Sequence, residues 1–172
     1  MNPRLQHLYE ALETDRLRLL DTISKLSPEK FHHSTAGKWS ISQILAHLVA
    51  AERLSRIYLN KKALGIDQLT NTGFREEAKM ILLRWSQRLP LKFKAPKAVV
   101  DHTPSFANVA DLSVAWGAER NELKKLLETF RDDQINKKIY RHVRAGMLNI
   151  QHALMFLREH QIHHWPQIKR LL

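Results

Sequence analysis

Cysteine is absent from the 172-residue chain. No disulfide framework and no thiolate metal site can therefore form, and a bound metal has to rest on nitrogen and oxygen ligands. Long apolar runs are missing too: no stretch approaches the ~20 residues that a membrane helix needs. Charged residues continue through the first twenty-five positions, unlike a secretory signal peptide, so the expected address is the cytoplasm. Internal repeats, low-complexity tracts and clean strand alternation are not found. Acidic residues are few beside basic ones, 17 against 28, giving a net charge of +11. Such a balance favours anionic partners, nucleic acid among them. The cations are nevertheless scattered, and acids interrupt most clusters. No helix-turn-helix or zinc-finger spacing is present, so a solvated surface is the simpler reading.

What is present is helical patterning. The length suits one domain, residues 1–172, with a core of its own. Leu5, Leu8, Leu12, Leu19, Leu20, Ile23 and Leu26 follow helical spacing, with Asp15 and Arg16 interrupting the stripe. That break either lines a cavity or marks a local turn toward solvent. Ser40-Ile41-Ser42-Gln43 has the capping-box pattern and opens a second long helix, which Gly65 ends. Phe74 to Trp85 reads as a shorter helix capped by Asn71 or Thr72. Pro90, Pro96 and Pro104 then punctuate a long connection before a helix over Asp111–Phe130. A last helix begins at Asn149 and runs to the C-terminus, with a kink expected at Pro166. The fold class is all-α.

Ten histidines stand in this frame. His160 and His164 are four apart on the terminal helix, so their imidazoles project from one face, one turn above the other. The stripe Ala153, Leu157, His160, His164, Ile168 turns that face inward. On the second helix His47 points within about 60° of Ile44, Ala51, Leu54 and Tyr58, so it also faces the core. Three imidazoles from two helices could hold one divalent ion, zinc or nickel foremost, and leave a position for water or substrate. Proton competition should release the ion below pH ~6.5. His163 is a rival ligand or an outer partner, and Gln167 could hold a water or orient an imidazole. Glu52 lies about 140° from His47 and is not assigned to the site. His32, His33, His102, His142 and His152 are read as surface or packing residues.

The run Trp39-Ser40-Ile41-Ser42-Gln43-Ile44-Leu45-Ala46-His47-Leu48, then Gly146-Met147-Leu148-Asn149, then His160-x3-His164 with Gln167-Ile168, resembles the DinB-like superfamily. Lys94-Ala95-Pro96-Lys97 and Arg120 are in keeping with it. The resemblance implies a four-helix bundle, up-down-down-up, whose long 64–108 connection crosses the bundle and carries a short extra helix. It implies that His47, His160 and His164 are a metal triad, and dimers are frequent in such proteins, so a homodimer is among the expected partners. Activities within the superfamily include transferases and isomerases that use low-molecular-weight thiols. Pro166 inside the terminal motif and the +11 charge depart from what the resemblance supplies.

The expected function is therefore a metal-dependent enzyme, a hydrolase or a low-molecular-weight-thiol S-transferase, acting on a small-molecule substrate, anionic ones included. Without cysteine in the chain, the thiol has to be a cosubstrate. No catalytic base is evident; Asp15 and Glu119 are the nearest candidates, and Arg16 or Arg120 could hold an anion. The alternatives are a basic nucleic-acid-binding module or a bundle whose histidines are structural.

Overall fold

The computed structural model of the chain describes residues 1–35, 37–89 and 95–172. Pro90 and Lys94, both placed in the long connection by the sequence reading, lie outside the described residues. The helices are α1 (Pro3–Ile23), α2 (Pro28–His32), α3 (Ile41–Ala63), α4 (Phe74–Arg88), α5 (Lys97–Asp101), α6 (Val109–Glu128) and α7 (Ile150–Lys169), with a 3-10 turn at Ile66–Gln68. The protein is mostly helical.

Side-chain caps fix where the long helices begin. Asn2 accepts the amides of Arg4 and Leu5, ahead of a proline at the first helical position. At α3 the Ser40 hydroxyl accepts the Gln43 amide at 3.2 Å while Gln43 Oε1 accepts the Ser40 amide at 2.9 Å. Asn108 and Asn149 accept the amides of Asp111 and His152. The start of α4 differs from expectation. Gly73 is its cap, with its amide donating to Glu76 Oε2 at 2.8 Å. Asn71 and Thr72 are occupied elsewhere, because this stretch pairs with the chain near Asn136 and Lys137.

One element escaped the sequence reading. Strands β1 (Tyr140–His142) and β2 (Gly146–Leu148) form an antiparallel hairpin just before α7. Three residues per strand are too few to display an alternating pattern. Gly146 has φ +76°, a conformation that suits glycine, and its role is to return the hairpin rather than merely to precede a helix. His142 Nδ1 accepts the amides of Arg144 and Ala145 and ties the turn together. α7 ends at Lys169, short of the last residues, and Pro166 lies within it.

Two apolar clusters fill the interior. One gathers Leu5, Leu12, Leu59, Leu83, Leu123, Leu127, Ile139, Leu148 and Leu157. The other gathers Leu20, Ile23, Phe31, Ile41, Leu45, Leu112, Trp116 and Ile168. α1, α3, α6 and α7 each contribute to both. Polar residues are buried along the same helices: Arg16, His47, Glu52, Arg120, Glu159 and His164. The interruption at Asp15 and Arg16 is thus explained: Arg16 turns inward and pairs with Glu13 on its own helix. Glu52 points away from His47 yet is not solvent-facing. It accepts the indole N–H of Trp116 at 2.9 Å and lies 2.5 Å from Arg120 Nε, with Glu13 3.6 Å from Arg120 Nη1.

Candidate metal centre

The capping box at Ser40 sets the phase of α3, and that phase turns His47 toward α7. The four-residue spacing on α7 then brings His160 and His164 to meet it. His47 Nε2 lies 3.1 Å from His160 Nε2, and His164 Nε2 lies 3.2 Å from the same atom. All three ligand atoms fall within 4.8 Å of one another. The ring centroids stand 5.0, 5.1 and 4.9 Å apart, a nearly equilateral triangle of steeply inclined rings.

The His47–His160 and His160–His164 separations match what an ion demands. Zinc–nitrogen bonds of ~2.05 Å at tetrahedral angles place ligand nitrogens about 3.3 Å apart. Hydrogen bonding alone satisfies the arrangement poorly. His160 Nε2 is central to both contacts, and a single ring nitrogen either donates one proton or offers one lone pair. One of the two contacts is therefore left unmatched unless a cation sits between the rings. The residues fit a divalent ion.

Burial keeps the imidazoles neutral, which is the ligating form. It lowers the His47 pKa from its ordinary value to about 4, with the charge of His163 adding to the effect. It lowers His164 to about 3, with His47 contributing and the bond to Gln167 opposing. His160 is pushed well below its ordinary value by desolvation first and by its histidine neighbours second. The release near pH 6.5 expected from the sequence is that of solvated imidazoles, whereas these are packed against rings and helix, which moves proton competition to lower pH.

The surroundings orient the triad. Gln167 Oε1 is 3.1 Å from His164 Nδ1, so Nδ1 carries the proton and Nε2 is free to ligate. His163 is turned aside, with Nδ1 donating to the Gln87 carbonyl at 2.7 Å. The Trp39 ring leans on His47 at 5.2 Å and stacks over His164 at 6.5 Å. Phe156 stacks on His160 at 5.6 Å, and His142 packs edge-on against Phe156 at 4.5 Å. His47 Nδ1 is buried with no hydrogen-bond partner, so on that ring packing by Trp39 takes the place of a polar anchor.

Sequence reasoning missed this aromatic frame. Phe156, His160 and His164 form an i, i+4, i+8 series that could have revealed one half of it, and Trp39 directly precedes the cap that positions His47. Other candidates sit elsewhere. Arg120, 1% exposed, faces Glu52 and Glu13. Asp15 is paired with Arg158 at 2.6 Å, and Glu119 with Arg56 at 2.9 Å and Arg53 at 3.6 Å. Arg16 is bound to Glu13. Among the described residues no carboxylate joins the three imidazoles. His152 is buried against Glu77, whereas His32 and His102 bond backbone carbonyls near the surface.

A family model described as the DinB superfamily matches residues 11–168. The chain belongs to the DinB superfamily. That match takes in both helices of the histidine group and the capping box of α3. No curated protein and no solved structure matches this DinB chain. No helix of the described residues is long and apolar enough to cross a membrane.

Proposed function

We propose that this DinB-superfamily chain is a divalent-metal-dependent enzyme, a hydrolase or a low-molecular-weight-thiol S-transferase acting on a small molecule in the cytoplasm. The observation that carries the reading is the convergence of one ring nitrogen from each of three histidines of α3 and α7, all within 4.8 Å of one another. His47, His160 and His164 would hold zinc or nickel. Three protein ligands leave at least one position open, as in catalytic sites. When bound, the ion would supply a Lewis-acid position at which a water or a thiol is acidified.

The chain's own residues do the rest. Gln167 fixes the tautomer of His164. Trp39 and Phe156 keep water from two sides of the rings, and His163 braces α7 against the end of α4 through Gln87. With no cysteine in the chain, a thiol nucleophile comes from a cosubstrate. Arg120 acts in this reading through Glu52, by holding α3 and α6 in register beneath the site.

The same reading takes residues 1–172 as one four-helix bundle of α1, α3, α6 and α7, up-down-down-up, with α4 carried on the crossing connection. Contacts support it. Glu52 of α3 meets Trp116 and Arg120 of α6, and further along α3 Arg56 and Asn60 line one depression with Glu122 and Lys125, a parallel order. His47 against His160 and His164, with Ser55 against Tyr140 ahead of α7, runs antiparallel. Tyr9 and Glu13 of α1 meet Arg120, and Asp15 meets Arg158 of α7.

Metal analysis of protein purified without a histidine tag tests the proposal. About one zinc or nickel per chain is expected for the parent, and almost none for His160→Ala. Equal metal in both would remove the centre, and the enzymatic reading with it.

A further inference from the structure

The first turn of α3 opens onto a cleft of about 390 Å³ that the metal centre does not use. Thr103 and Ser105, from the connection between α5 and α6, also line it, as do His32 and Ser34 at the end of α2 and just beyond. The volume suits a small organic molecule and is far more than a single water needs.

The lining is polar yet uncharged. Five hydroxyls border the cleft, at Ser34, Ser40, Ser42, Thr103 and Ser105, and among the described residues no Asp, Glu, Lys or Arg does. Several of its hydrogen-bonding roles are already fixed. The Thr103 hydroxyl donates to the Val99 carbonyl at 2.8 Å, so it has only lone pairs left to offer. The Ser40 hydroxyl accepts the Gln43 amide and keeps its own proton to give. Gln43 accepts the Ser40 amide through Oε1, which leaves its NH2 group.

Ser42 decides what belongs there. It is the second residue of α3 and only 5% exposed, yet its hydroxyl makes no hydrogen bond to any described residue. A hydroxyl held inside a protein without a partner is costly unless something entering from the cleft completes it. The backbone amides of Ile41 and Ser42 are unpaired among the described residues too. The cap serves only Ser40 and Gln43, and the Ser40 carbonyl takes the Ile44 amide. Two amides, an idle hydroxyl and the positive end of a 23-residue helix favour negative charge. With no cation in the lining, that end suits one charge better than a phosphate dianion, whose second charge would lie uncompensated.

We propose that the cleft binds a small hydroxylated monocarboxylate. Its carboxylate rests on the Ser42 hydroxyl and the first amides of α3, and its hydroxyls meet Gln43, Thr103 and Ser105. The site does not depend on the metal centre. It lies on the flank of α3, where Ala46 is turned about 100° away from His47.

Amide NMR of the untagged full chain, titrated with sodium gluconate, tests this. The Ile41 and Ser42 amides should shift and saturate. Sorbitol, which lacks the carboxylate, and hexanoate, which lacks the hydroxyls, should each bind at least about tenfold more weakly. Ser42→Ala should weaken gluconate binding about tenfold with the fold intact. Ser42→Asp tethers a carboxylate where the ligand's would sit. An acid is favourable in the first turn of a helix, so melting should not fall while gluconate binding is lost. Chelator treatment of the parent should leave the gluconate affinity unchanged. Binding that disappears with the metal would place the acid on the metal centre and overturn the proposal. The absence of saturable shifts with gluconate overturns it as well, as do equal shifts with sorbitol, inorganic phosphate that binds more tightly than gluconate, or parent-like binding by Ser42→Asp.

Discussion

His47 Nε2 and His160 Nε2, 113 residues apart in sequence, lie 3.1 Å apart in the bundle. Their pairing has a consequence for pH. A triad with ordinary histidine pKa values loses about tenfold in metal affinity per imidazole between pH 7.5 and 5.5. Here His47 and His164 protonate only near pH 4 and 3, and His160 also far below its usual range. Zinc affinity measured by competition with a chelator should therefore change less than about threefold across that window. A thousandfold loss would mean that the rings are solvated.

Gln167 sets the tautomer of His164 from one turn further along α7. Gln167→Ala removes the acceptor without touching a ligand. It should weaken zinc binding by about 10- to 100-fold while the melting temperature of the metal-free protein stays near the parent's. Unchanged affinity would show that helix packing alone orients the ring.

Acid should destabilise the metal-free protein well before its carboxylates titrate. The folded-state pKa values of His47, His142, His160 and His164 lie below the unfolded value of ~6.5. Below that pH the unfolded chain takes up protons that the folded chain refuses. Stability is thus complete above about pH 6.5 and falls as the pH drops toward 4, by up to ~1.4 kcal/mol per pH unit for each histidine. Urea midpoints at pH 7.5, 6 and 5 measure this. A flat series above pH 5 contradicts it.

Glu52 and Arg120 are both almost fully buried. Glu52→Gln should cost about 3–5 kcal/mol, because the buried Arg120 charge keeps only the more distant Glu13, 3.6 Å away. Glu52→Leu combined with Arg120→Met should cost less than either single change, since the pair is removed together. Denaturant unfolding of the single and double variants reads the coupling directly. Additive losses would mean that the two side chains do not depend on each other.

The helical character, the capping box at Ser40 and the inward phase of His47, His160 and His164 are local properties, set by periodicity and by side chains that bond their own backbone. Those the sequence by itself determined. Distances between helices are not local. Whether three inward histidines meet at one height, or pass each other by a turn, depends on how α3 and α7 slide against shared core residues. Arg16 and Glu52 show the same limit: periodicity marked one as a break and the other as off-site, and only the tertiary structure made both interior. The hairpin at Tyr140–Leu148 was invisible because each strand is held by its neighbour rather than by its own pattern. Tertiary structure decided the triad's closure, its aromatic walls and the cleft beside Ser42, because each is a relation between segments that no single segment encodes.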